Sequence, residues 1–468
     1  MLRALQYPLL VLYSALPLLM LFWAVRRRRR GHVAPLFTAL VIFFSGFVIG
    51  VALLLLHSKL MGASMPPAEA LRLIYTTIAA LCLLKFIDRF LLRAMYQAIR
   101  VPLDHFGRPI VPHSRRALLG LLAQRLVMLA IIIPYAFAML LCYRPKVSYG
   151  ITPAGLRLEY SPASFKSSDG VRLAGWWIPA TEMPPRESEQ TSDDYRSQGI
   201  EPVGNQVADQ WGKRTVVLCH GMAAGKEHVL GLAWLLAKRG FNVLAFDFRA
   251  HGDSGGNYVS YGDRERADVL AAVRWVRQQH PESAEKIFGI GINTGAAALL
   301  AAAADNHDGQ CIDALVLIEP FASFRSVARS NSDLLLPRGV SWIVKNFSIP
   351  LAALHCGADL NSFSPADFLD KIWPRPILVV HGRGGSFVPT AEEMTLFQRM
   401  TQPKDQFWPA DNYQESGKDW QKVKNNQWKT LLRMSRQWMG TSETVLGDRG
   451  VQYHLLRFLR EAEPLPVI

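Results

Sequence analysis

Two kinds of hydrophobic pattern divide the chain. Up to residue 145 the apolar positions form long unbroken runs: Tyr7 to Val25, Ala34 to Leu56, Leu73 to Leu84 between Arg72 and Lys85, and Leu126 to Cys142 with Pro134 inside it. Runs of this length predict membrane-crossing helices, here over about 7–25, 34–56, 71–90 and 122–142. The third needs its flanking basic side chains to snorkel to the interface, and read on its own it also fits an interfacial or re-entrant helix. The fourth carries a proline that membrane helices tolerate.

Beyond residue 150 the apolar runs shorten and alternate with stretches of helical spacing. Leu156 to Ala180 holds two alternating strands joined by "SSDG", followed by a polar, turn-rich insertion over 181–213. Strands are expected at 214–220, 241–247, 286–291, 314–319 and 376–381, with a shorter one at 406–409. Helices are expected at 226–239, 262–279, 294–304, 390–400 and 419–438. Continuous apolar strands separated by helices predict an α/β fold, a mostly parallel sheet with helices on both faces. The division is a membrane domain over 1–145, an α/β domain over 150–440 with a helical cap over 322–364, and a tail over 441–468.

Charge sharpens this division. The formal net charge is +14, and residues 1–145 hold 17 Lys and Arg against 3 Asp and Glu, so the whole excess lies in the first third. A neutral folded part argues against nucleic acid as a partner. Five arginines, Arg26 to Arg30, follow the first run rather than precede it, which marks an anchor and not a cleaved signal. With that cluster cytoplasmic, the basic loop 85–125 is cytoplasmic too, and the N-terminus and the α/β domain are extracytoplasmic in what reads as a cytoplasmic (inner) membrane. The lipid bilayer is therefore an expected partner. The five cysteines show no metal or redox spacing.

In parallel sheets ligands gather beyond the carboxyl ends of the strands. Those ends carry "HGMAAGKEH" at 220–228, "DFRAHGDSGG" at 247–256, "GINTG" at 291–295 and "HGRGGSFVP" at 381–389. The four motifs in this order resemble the α/β-hydrolase fold, in particular its serine aminopeptidase and esterase-like branch. The resemblance covers roughly residues 155 to 440 and implies a nucleophile elbow, an oxyanion loop and a catalytic triad.

The elbow needs serine inside Gly-x-Ser-x-Gly. Gly291 and Gly295 stand at the glycine positions, Asn293 at the serine position, and Thr294 after it, where the resemblance implies a backbone N–H in the oxyanion hole. A carboxamide supplies no acyl-accepting nucleophile. The acid position falls on Gly385 and the base position on Asn412, neither of which can orient or carry a proton. No histidine occurs between His381 and His454, so a small shift in alignment recovers no base. The oxyanion loop is assigned to His220, Gly221 and Met222, with His220 a hydrogen-bonded structural residue. Ser254 and His251 read as a family turn, Glu319 as an alternative acid with nothing to orient, and Asp411 as solvated.

Residue by residue, these substitutions imply a membrane-anchored pseudohydrolase that keeps the fold for binding, scaffolding or regulation, with a small acyl, lipid or peptide ligand in the former active site. A working esterase, lipase or aminopeptidase that uses displaced residues, such as Thr294, is the second reading. No cofactor and no metal are expected, because no ligand spacing or phosphate loop occurs.

Overall fold

The computed structural model describes residues 17–407 and 449–462, apart from 23, 27–33, 62–66, 104–108, 112–113, 128–129, 131–132, 144–145, 147–149, 182–211, 223, 336–337, 382–387 and 402–403. The chain divides into two compact units, Met1–Ala136 and Phe137–Ile468.

In the N-terminal unit, helix α1 spans Ala34–Met61 and α2 spans Pro67–Ala98, with α3 at Arg115–Val127. Helix α1 contains the whole apolar run 34–56, with its side chains described at 37–51 and 55. Counted over the described residues, no helix is long and apolar enough to cross a membrane. The stretch 85–125, expected as a loop, is helical at both ends: α2 continues to Ala98 and α3 starts at Arg115. The two helices meet through Asp88, which accepts from Gln124 Nε2 at 2.6 Å and pairs with Arg125 at 3.3 Å. The expected span 122–142 falls on α3 and on α4, Ile133–Cys142, with Pro134 in the first turn of α4, where a missing N–H costs nothing. From Phe137 onward α4 belongs to the C-terminal unit.

The C-terminal unit is built on β1 (Ser161–Lys166), β2 (Arg172–Ile178), β3 (Arg214–Cys219), β4 (Phe241–Asp247), β5 (Lys286–Ile292), β6 (Ala314–Ile318), β7 (Ile377–Val380) and β8 (Lys404–Phe407). These form one sheet in the order β1-β2-β4-β3-β5-β6-β7-β8, antiparallel only at β1/β2 and β2/β4. This is the strand order of the α/β-hydrolase fold. β3, β4 and β6 are buried at every position, which is why their sequences read as unbroken apolar runs.

Interleaved with the strands are α5 (Leu230–Ala237), α6 (Glu265–Gln279), α7 (Thr294–Ala303), α8 (Phe324–Leu335), α9 (Arg338–Ile343), α10 (Ile349–Cys356), α11 (Thr390–Arg399) and α12 (Arg449–Glu461). One apolar core joins the sheet to α6, α7 and α11 through Val273, Leu299 and Leu396. The other joins it to α5 and α12 through Leu236, Leu455 and Leu459. The stretch 441–468, set apart as a tail by its sequence, thus supplies a core helix, and Arg214 of β3 donates to the Leu459 carbonyl. The helix expected at 419–438 and most of the insertion 181–213 lie outside the described residues. So do residues 7–16 and 23 of the first expected span.

Helices α8 to α10 occupy the segment expected as a cap. Phe324, Val327, Ile349 and Ala352 pack with Ala297 and Ala301 of α7, so the cap rests on the helix that follows the elbow.

Candidate active site

Between β5 and α7 the backbone reverses at Asn293 with φ 52° and ψ −110°, a conformation outside the usual regions for a non-glycine residue. The fold imposes it. Helix α7 starts at the next residue, and the flanking glycines leave out Cβ atoms that would collide with backbone in so abrupt a turn. A Cβ on Gly291 would stand 2.6 Å from the Cα of Ala296, and one on Gly295 would be driven into the carbonyl oxygens of Cys219 and His220. The amide of Asn293 donates to the Ile318 carbonyl at 2.8 Å, tying the turn to the end of β6.

Asn293 is 8% exposed, and its Oδ1 has no hydrogen-bond partner among the described residues. No described imidazole or carboxyl therefore engages the oxygen of this side chain. Thr294 begins α7 and is half-buried. Gly385 and Asn412, the other two expected triad positions, lie outside the described residues, as does Asp411.

The loop after β3 lies against the elbow. A Cβ on Gly221 would stand 3.7 Å from Asn293 Cβ and 3.5 Å from Ile292 Cγ2. Met222, also of this loop, borders the apolar core of the cap. His220 is fully buried, with Nδ1 2.8 Å from the Gly221 carbonyl and Nε2 accepting from the Phe248 amide at 3.0 Å. Burial, with His251 alongside, holds its pKa well below the ordinary histidine value, so the imidazole is neutral and both nitrogens are committed to the backbone. It bridges two loops and has no nitrogen left to act as a base.

The turn after β4 is equally structural. Ser254 Oγ donates to the Asp247 carbonyl at 2.5 Å and accepts from the Ala174 amide at 2.9 Å, which uses its hydroxyl to join β2 to the end of β4. His251 Nδ1 bonds the Arg249 carbonyl at 2.9 Å. Arg249 itself is buried against Asp268 and Asp169 in a fork of charge-assisted bonds.

A second buried polar group stands at the ends of β6 and β7. Glu319 has φ 50°, is 3% exposed, and has an Oε1 without a partner among the described residues. Burial, reinforced by the Glu393 carboxyl, pushes its pKa up to about 8, so it is protonated at neutral pH. Glu393 Oε2 lies 2.9 Å from His381 Nδ1, and burial pushes His381 down to about 4. The ring is neutral, and its Nδ1 shares a hydrogen bond with the Glu393 carboxyl. In sequence His381 stands only as the first residue of "HGRGGSFVP", with nothing local that links it to Glu393. The available signal was a glutamate in the first turn of the helix after Val388-Pro389. Among the described residues no cluster of His, Cys, Asp or Glu is arranged to hold a metal ion.

Comparison with known families gives a match over residues 211–364 to the family described as serine aminopeptidase, S33. The matched part includes Asn293 and the cap and ends before Gly385 and Asn412. Among characterised and uncharacterised relatives, the protein YqkD of Bacillus subtilis, which has no assigned function, is 30% identical over 210 residues, 44% of this chain and 66% of its own length. The lysophosphatidylserine lipase ABHD12 of Danio rerio is 27% identical over 194 residues, 40% of this chain and 48% of its own. The solved Pyrococcus furiosus esterase Pf2001 is 24% identical, with a TM-score of 0.43, and the alignment covers 64% of this chain and 99% of that one.

Proposed function

We propose that this chain is a membrane-anchored α/β-hydrolase-fold protein that has lost serine-hydrolase chemistry and uses the retained elbow and cap to bind an acyl, lipid or peptide ligand. The observation that carries this reading is Asn293 in the strained elbow conformation, with Gly291 and Gly295 preserved around it. The turn keeps the geometry that presents a nucleophile and presents a carboxamide instead. Residues Gly385 and Asn412 at the acid and base positions add two further losses, and triad members act as a unit: loss of the nucleophile alone costs about a millionfold in turnover.

The test is covalent labelling. The full chain in detergent is incubated with a fluorophosphonate probe and with panels of short acyl esters and aminoacyl amides. The pseudohydrolase reading expects no labelling and turnover at the uncatalysed rate. Labelling that disappears on substitution of Thr294 or Ser254 overturns it. The second reading, an ester hydrolase using displaced residues, is favoured by the similarity to a lysophosphatidylserine lipase, and the same assay decides between them.

The anchor is assigned to the N-terminal third, with the N-terminus and the α/β unit extracytoplasmic. Support comes from the unbroken apolar run 34–56 in the sequence and from the basic bias of 85–125. Protease shaving of right-side-out and inverted vesicles tests it: digestion of the α/β unit only in inverted vesicles sinks the assigned orientation.

A further inference from the structure

The five cysteines show no pairing pattern in sequence, yet the fold brings two of them together. Cys142 ends α4 and Cys356 ends α10, and both belong to the apolar core beneath the cap. Cys142 is fully buried and Cys356 is 6% exposed. The Cys142 thiol donates to the carbonyl of Ala352 at 3.3 Å, one helical turn before Cys356, and the Cys356 thiol reaches the Ala353 carbonyl at 3.7 Å. Cys142 therefore lies over the last turn of α10, the turn that carries Cys356, and its side chain is the leading influence that lowers the Cys356 pKa.

The segment carrying Cys142 is fixed from another side as well. The Val259 amide donates to the Cys142 carbonyl at 2.9 Å, Tyr261 Oη donates to the Leu141 carbonyl at 2.7 Å, and Tyr143 pairs with Tyr258 in an isolated antiparallel bridge. Both sulfurs are therefore held by backbone that is itself hydrogen-bonded, so little ordering remains to be lost on linking them. Both cysteines lie in one apolar core, with the Cys142 sulfur against the helical turn that ends in Cys356.

We propose that Cys142 and Cys356 form a disulfide site, a covalent staple between the segment 137–143 and cap helix α10. The oxidant is a small-molecule or protein disulfide. The Cys356 thiolate attacks one oxidant sulfur, forming a mixed disulfide and releasing one thiol. Cys142, after giving up its proton, attacks the Cys356 sulfur, closing the intramolecular bond and releasing the second thiol. Two protein thiols lose two electrons and two protons, and one oxidant disulfide becomes two thiols. Cys356, the less deeply buried of the two, is the thiol that reaches the external oxidant, and Cys142 resolves the mixed disulfide. The staple fixes the stretch that leads into the C-terminal unit directly to the cap, so movement of one is transmitted to the other.

The test uses the full chain in detergent, reduced, exchanged into oxidised glutathione, quenched in acid, unfolded and alkylated. The expected result is a product about 2 Da lighter before alkylation, three alkylated cysteines of the five, and a Cys142–Cys356 cross-linked peptide. Cys142→Ser and Cys356→Ser each abolish the cross-link. Five alkylated cysteines, a stable glutathione adduct in the wild-type chain, or a cross-link between a different pair overturns the proposal. The wild-type measurement stands alone should either variant fail to fold, and because the oxidant is added, the result is independent of membrane orientation.

Discussion

Lys226 Nζ lies 2.5 Å from Asp247 Oδ2 and 2.7 Å from Asp253 Oδ2, while the Lys226 amide donates to Asp247 Oδ1 at 2.8 Å. The ammonium also stands 4.8 Å from the ring centroid of Trp176. One lysine thereby joins the loop after β3 to the end of β4 and the turn that follows it. The two carboxylates are not equivalent: the Asp247 side chain is 1% exposed and that of Asp253 is 58% exposed. Lys226→Ala strands a buried carboxylate and is expected to cost about 3–5 kcal/mol. Asp253→Asn removes a solvent-screened partner and is expected to cost no more than about 1 kcal/mol. Urea midpoints of the two variants check the contrast, and equal losses contradict it.

The elbow glycines give a second contrast. Gly295→Ala pushes a methyl group into two backbone carbonyls that belong to the β3 end and cannot move aside. Loss of several kcal/mol or failure to fold is the expected outcome. Gly231 lies in the first turn of α5 with nothing within 4 Å of its added Cβ, so Gly231→Ala is expected to be neutral or to stabilise by up to about 1 kcal/mol. Thermal unfolding of both variants measures the difference.

Restoring one triad member restores little. Asn293→Ser is expected to leave ester turnover within about tenfold of the wild-type chain, because triad members act as a unit and a serine with neither base nor acid restores almost none of their joint effect. The triple variant Asn293→Ser, Gly385→Asp, Asn412→His is the first in which measurable acylation is expected. A gain of about a thousandfold from the single variant would show a base already in place and defeat the pseudohydrolase reading.

Glu319 gives a pH dependence of known sign. Its folded pKa is raised, so between its ordinary 4.5 and about 8 the unfolded chain releases a proton that the folded chain keeps. Its contribution to stability is present below 4.5 and is lost as pH rises through that interval. The loss is at most about 5 kcal/mol at 1.36 kcal/mol per pH unit. Glu319→Gln removes the slope. Denaturant midpoints of wild type and variant are expected to agree near pH 4.5 and to diverge by pH 8, with the variant the more stable; parallel profiles refute the assignment.

Strands β3 to β7 are legible in the sequence because a parallel strand buried on both faces needs apolar residues at every position, and Val216, Val217 and Leu218 satisfy that without any knowledge of the partner strands. The elbow is legible for a related reason: Gly291 and Gly295 are demanded by local crowding. Lys226 with Asp247, His381 with Glu393, and Cys142 with Cys356 are not, because each pair joins separate elements and neither residue alone differs from a solvated or filling residue. Helix α12 carries Val451, Leu455, Leu456 and Leu459 at helical spacing, but nothing local says which surface that stripe covers. Only the sheet supplies it.

The position of α12 bears on how the domain is made. Its apolar stripe closes the same face as α5, against β3 and β7, yet it is encoded more than two hundred residues after β3. While a ribosome is still translating the segment before residue 449, α5 covers that face without α12, and the sheet surface against which Leu455 and Leu459 pack lacks that helix. The nascent chain must therefore hold an exposed apolar surface until late in synthesis, which makes it a natural client for chaperones that shield such surfaces and makes stalled or clipped products of this chain prone to aggregate.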